Sequence, residues 1–303
     1  MTISRFHGLS ALVLAALATG AQSAPLDPAK PQDAVEISKR VQCGDADAKP
    51  SIFHWTGKVY SRVQGEPDRL LFTGEGMNIR HCAAVTDPVR GKGFRLVSRE
   101  IMLFTDPTTG EVLRQWTNPW TGETVDVLQI ANDPVNQPPI FEKTRDGKPY
   151  SITYRQIGPW FLMPLEIPLF YTNPLAGPYQ DHIGGKYHAM EIFDFAAPSA
   201  DLLDSKRRVS PSISWVRISD WMPWMKMRGR QGQLVFNAMG GRVDSLDQLP
   251  AVLRTEINER YPTYRTAPPI DDKRPNETTW TVFKKHMEST AKPAPTAASG
   301  GHH

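Results

Sequence analysis

The chain has 303 residues, a formal net charge of +3 and 22% charged residues, long enough to bury one substantial core. Lys and Arg are dispersed among Asp and Glu, and the cluster Lys206-Arg207-Arg208 reads as a solvated loop, so no nucleic-acid partner is expected. Only two cysteines are present.

Taken in chain order, Arg5 precedes the apolar run Leu9–Ala18, and the small residues Thr19–Ala24 follow it. This is the layout of an export signal over residues 1–23, cut after Ser23. The apolar run is half the roughly 20 residues that a membrane span needs, so no stable membrane insertion is expected after signal removal. A periplasmic or secreted location follows, and in an oxidising compartment Cys43 and Cys82 are expected to pair. Closing a loop of that length stabilises a fold by about 4 kcal/mol in the chain-entropy view.

Residues 24–50, rich in Asp, Ala, Lys and Pro, read as an N-terminal arm with a short helical stretch at Gln32–Val41. From Ser51 the texture alternates large and polar residues, the signature of strands. Runs at "SIFHWTGKVYSRV", "LLFTGEGMNIRHC" and "GKGFRLVSREIMLF" predict the first three. "EVLRQWTN" and "ETVDVLQIAN" predict a fourth and a fifth, separated by turns at Thr109-Gly110 and Thr121-Gly122. Tyr150–Ile157, Trp160–Phe170, Tyr187–Phe195, Ser212–Trp221 and Gln233–Met239 predict five more, and Leu246–Arg260 and Thr279–Ser289 predict helices.

The expected fold is therefore mainly β: an antiparallel up-and-down meander closing into a barrel of about ten strands over residues 51–288, with C-terminal helices across one end. A two-sheet sandwich is the alternative. Residues 289–303, rich in Ala, Pro, Gly and Ser, read as a disordered tail.

There is no Gly-x-Ser-x-Gly elbow and no complete phosphate or dinucleotide loop; "GEGMNI" and "GKGFRL" carry only Gly-x-Gly, which in strands marks bulges or close backbone approach. No cofactor and no metal site are expected, because His188 and Glu191, three apart on a strand, point to opposite faces. As metal ligands His54, His81, His182 and His188 are set aside, the simpler reading being satisfied or exposed histidines.

The candidate catalytic groups come from alternation. Glu75, Met77, Ile79 and His81 share one strand face, where a partly desolvated carboxylate and imidazole suit proton transfer, while Asn78, Arg80 and Cys82 share the other. On the third strand Glu100 falls with the apolar Phe94, Leu96 and Met102, opposite Arg95 and Arg99. Arg99 is the candidate for holding a negative oxygen, and Tyr154 is a secondary donor. Trp116 and Asn118, two apart, offer an aromatic wall and an orienting amide. Trp221, Trp224, Met222, Met225 and Met227 form either a flexible mouth or core packing.

The strings "EGMNIRHC", "GKGFRLVSREIM" and "NPWTGETV" resemble an uncharacterised family of exported bacterial proteins, a domain of unknown function, over roughly Ser51 to Met239. The resemblance implies no mechanism. The expected function is cofactor-independent acid/base chemistry, of lyase or isomerase type, on a small apolar or aromatic compound. A carrier for such ligands and a structural envelope protein are the alternatives.

Overall fold

The computed structural model describes residues 24–44, 49–175, 185–227 and 229–290. The expected signal, His182 and the tail beyond residue 290 lie outside the described residues. Twelve strands and four α-helices form: α1 (Pro31–Cys43), β1 (Ser51–Arg62), β2 (Arg69–Asp87), β3 (Gly91–Thr105), β4 (Gln115–Thr117), β5 (Thr124–Asp126), β6 (Ile130–Asn132), β7 (Gln137–Phe141), β8 (Arg155–Ile157), β9 (Trp160–Thr172), β10 (Lys186–Pro198), α2 (Ser199–Leu202), β11 (Ser212–Ser219), β12 (Gln233–Val243), α3 (Ala251–Glu259) and α4 (Thr279–Thr290).

Ten of the strands form one antiparallel sheet in the order β6-β3-β2-β1-β12-β11-β10-β9-β8, with β7 also on β3. The chain enters this sheet in its middle, because β1 pairs with β2 on one side and with β12 on the other, from Ile52 opposite Val243 to Arg62 opposite Gln233. The sheet is a meander as expected, and it does not close into a barrel.

The seam has a chemical cause. β8 pairs with β9 only at Trp160–Leu162, so from Met163 onward one edge of β9 is free, and that stretch carries Pro164 and Pro168. Proline has no N–H to give to a further strand. The facing strand β7 carries Pro138 and Pro139. Prolines thus mark both ends of the sheet, where a closing ladder would have to form. In place of a ladder, α4 packs on β6 and sends Trp280 against Tyr187 of β10, with ring centroids 4.4 Å apart.

The expected fourth strand contracts to β4 and the expected fifth splits into β5, which forms a two-stranded ribbon with β4 off the main sheet, and β6, which joins β3. Their turns form as the glycines require, with φ of 73° at Gly110 and 71° at Gly122. The Gln129 side chain replaces ladder bonds between these segments, accepting from the Phe104 N–H at 2.6 Å and donating to the Leu113 carbonyl at 2.7 Å. The expected helix at Leu246–Arg260 is broken by Pro250 into a 3-10 turn, Leu246–Gln248, followed by α3.

One face of the sheet is capped by α3: Ile52, Met77, Ile79, Ile101 and Leu103 pack against Leu249, Leu253, Ile257 and Tyr264. The other face is concave and is filled at both ends. At one end Phe72, Phe104, Trp224, Phe236 and Trp280 form an aromatic plug. At the other, Phe53, Phe161 and Phe195 pack under Ile37 and Val41 of α1. The N-terminal arm is thus a packed helix, held by Arg40, which donates to the carbonyls of Asp201, Asp204, Ser205 and Arg207. Its last residue, Cys43, forms a disulfide with Cys82 of β2, with the Cα atoms 6.0 Å apart.

Candidate ligand cavity

Between the two plugs the concave face leaves a cavity of about 200 Å³. The register explains which residues reach it, because Phe53, Trp55, Asn78, Arg80, Ser98, Glu100, Glu191, Phe193, Trp215 and Arg217 occupy aligned, same-face positions across β1, β2, β3, β10 and β11. Val135 and Gln137 line it from one side of the seam and Leu165 and Ile167 from the other, so the unclosed seam borders the cavity.

One wall is aromatic. Trp215 lies 6.4 Å from Trp55 and 6.2 Å from Phe193 between ring centroids. The Trp55 indole lies where a Cβ on Gly76 would be, 2.3 Å from that position, so the "GEG" glycine serves close packing, as its place in a strand suggested.

The remaining lining is charged and desolvated. Arg217 lies 3.5 Å from the Glu191 carboxylate and donates to the Tyr187 hydroxyl. Burial opposes its charge, and these two partners keep it protonated. Glu100 accepts from the Asn132 amide at 2.8 Å. Burial pushes its carboxyl above the ordinary range and the neighbouring Glu191 charge acts in the same sense, against the Asn132 amide, Arg217 and Arg80. Arg80 donates from Nε to Asn78 Oδ1 at 2.7 Å and from Nη1 to the Gln42 carbonyl at 3.0 Å, and burial lowers its pKa to about 10.

The strings behind the resemblance build much of this lining. "EGMNIRHC" supplies Asn78 and Arg80, and "GKGFRLVSREIM" supplies Ser98, Glu100 and Met102. The family of proteins of unknown function DUF1838 matches residues 48–287. The chain belongs to the DUF1838 family. No curated protein and no solved structure gives a match.

In this DUF1838 chain the residues expected to carry catalysis are not brought together. Glu75 accepts from His54 Nε2 at 2.8 Å on the face away from the cavity, and His81 shares that face with Met77 and Ile79, which pack under α3. The alternation holds along β2, and the face that carries Glu75 and His81 is the one packed under α3. Arg99 also lies on the α3 side, donating to the Thr263 carbonyl and sitting 3.4 Å from Asp133, and so anchors the α3 region to the sheet.

Trp116 belongs to the aromatic plug, 5.6 Å from Phe72 and 6.0 Å from Trp224. Asn118 is fully buried and spends its side chain on backbone, donating to the Met225 carbonyl at 3.0 Å and accepting from the Trp120 N–H at 2.9 Å. "NPWTGETV" therefore builds a plug and a turn. Tyr154 is exposed and stacks on Phe161, with centroids 4.9 Å apart. Trp221, Trp224 and the methionines beside them are core.

Sequence reasoning missed Arg80, Glu191 and Arg217 as site residues. Their signal was present in "SWVRIS" and "EIFDF", where a charge sits two positions from an aromatic, the same anomaly noted at Glu100.

Proposed function

We propose that the cavity is the active site of a cofactor-independent acid/base enzyme, of lyase or isomerase type, acting on a small apolar or aromatic compound, with Glu100 as the proton-transferring group. The observation that carries this reading is a carboxyl raised above its ordinary range by burial, inside a cavity that also presents two guanidinium groups. A carboxyl tuned toward neutrality exchanges protons at working pH, and a neighbouring Arg217 stabilises negative charge developing on a substrate oxygen. Trp55, Phe193 and Trp215 supply flat apolar walls for the substrate body.

The Cys43–Cys82 disulfide supports a periplasmic or secreted location. Among the described residues no helix is long and apolar enough to cross a membrane. Glu100 and Glu191 each already have a protein partner, which favours a carrier as the second reading, since paired charges do not demand a reaction.

The two separate on turnover. Small molecules retained by the purified protein are identified by mass spectrometry and offered to the wild type and to Glu100→Gln. The enzyme reading expects conversion by the wild type and a loss of about 10²–10⁴-fold in the variant with ligand affinity preserved. Binding without conversion selects the carrier.

A further inference from the structure

The two arginines of the cavity differ in what neutralises them. Arg217 has Glu191 at 3.5 Å and the Tyr187 hydroxyl. Arg80 has only neutral acceptors, the Asn78 amide oxygen and the Gln42 carbonyl, with its guanidinium 4.5 Å over the Phe53 ring. No carboxylate of the described residues comes within ion-pair distance of it, and Nη2 makes no hydrogen bond while remaining accessible. Asn78, turned so that its oxygen faces Arg80, leaves its Nδ2 unbonded beside it. Glu100, whose charge acts on Arg80 from beyond ion-pair distance, is engaged by Asn132.

A buried cation without a counter-charge is unfavourable unless something else supplies the charge. Here a half-buried guanidinium without an ion-pair partner lines a cavity, with a second donor, the Asn78 amide, next to it. The end of a guanidinium matches a carboxylate in plane and spacing. The volume limits the rest, because an apolar cavity of roughly 150 Å³ already accommodates benzene, and this one is about 200 Å³.

We infer that the ligand is a small monocarboxylate with a single-ring or comparably compact apolar body, its carboxylate seated on Arg80 Nη2 and Asn78 Nδ2 and its body between Trp55, Phe193 and Trp215. This rests on the reading of the cavity as the ligand site. It sharpens that reading by naming the charge the ligand carries. The carboxylate lies at the end of the cavity roofed by Gln42 of α1, which leaves the Glu100 and Arg217 groups to face the remainder of the molecule.

The test compares matched probes: benzoate, phenylacetate, cinnamate and 3-methylbutanoate, each against its primary amide, by calorimetry and thermal shift. The variants are Arg80→Gln and Asn78→Asp. Asn78→Asp keeps the side-chain shape and gives Arg80 an internal counter-ion, so it is expected to raise the melting temperature of the unliganded protein while weakening acid binding by about 10- to 100-fold, the span of a charge-assisted hydrogen bond. Should Arg80→Gln fold poorly, Asn78→Asp alone decides. At least one acid is expected to bind the wild type at least tenfold more tightly than its amide, a preference that both variants abolish. Amides binding as tightly as acids, equally in wild type and Asn78→Asp, would overturn the carboxylate while leaving the cavity as the ligand site. Stabilisation by no probe at all, acid or amide, would overturn both.

Discussion

The two faces of β2 and β3 are made by the same alternating strings and have opposite characters. On the α3 side, Met77, Ile79, Ile101 and Leu103 meet Leu253 and Ile257 in an apolar layer, and the polar members are paired, His54 with Glu75 and the buried Arg99 with Thr263 and Asp133. On the concave side, Asn78, Arg80, Ser98 and Glu100 are held away from bulk water beside aromatic rings. A helix laid flat on a sheet can be matched by apolar residues all along its length. A curved sheet plugged at both ends leaves a space between the plugs, and that space keeps its polar lining only where each group has a partner or awaits one.

Changes on the α3 face are expected to act on stability alone. Ile79→Ala removes packing under α3 and should lower unfolding free energy by about 2–5 kcal/mol, with ligand affinity in the cavity unchanged. Chemical denaturation and calorimetry on the same sample read both quantities. A loss of affinity without a loss of stability would reverse the roles assigned to the two faces.

The disulfide ties the roof of the cavity to its wall, since Cys43 follows Gln42, a lining residue whose carbonyl takes Arg80, and Cys82 follows Arg80 by two on β2. Replacing both cysteines by serine should cost about 4 kcal/mol in the chain-entropy view, and it should also weaken ligand binding by loosening the roof. Unchanged affinity in a protein that melts earlier would show that α1 is positioned by Arg40 and its apolar face alone.

Glu100 links the cavity to pH. A carboxyl whose folded pKa lies above its unfolded value of 4.5 binds more protons when folded. Its contribution to stability is complete below pH 4.5 and is lost as pH rises through the folded value. Glu100→Gln should flatten that decline, leaving the variant more stable than wild type on the alkaline side of the window. Melting temperatures from pH 4 to 9 check it. A decline of equal slope in both proteins would assign the effect elsewhere.

The smallest effect is expected at Glu75. As half of a partly exposed pair with His54, it should contribute about 0–1 kcal/mol, and Glu75→Gln should leave both ligand binding and turnover as in wild type. A large drop in turnover at this position would restore the acid/base pair that alternation first suggested and displace Glu100.

Alternation, turn glycines and prolines determined the β class, the order of the long strands β1, β2, β3, β9, β10, β11 and β12, and the partition of residues between the two faces of each strand. Those are consequences of local geometry, where side chains two apart point the same way and Gly or Pro restricts the backbone at a fixed place. Which face became the interior is not a local property. Met77 and Ile79 made one face of β2 look buried, and it is buried, but under a helix more than 170 residues away in sequence. Asn78 and Arg80 fall on the other face, and they line a cavity because β12 joins β1 and the sheet curls around that side. Trp116 and Asn118 could be placed on one face but not assigned to a plug until Trp224 and Met225 were brought against them. The prolines of β7 and β9 were legible one by one, and only the sheet order shows that they face the same seam. Tertiary structure decided the site because a cavity is defined by the relative placement of strands distant in sequence, and each strand's own pattern is compatible with either direction of curvature.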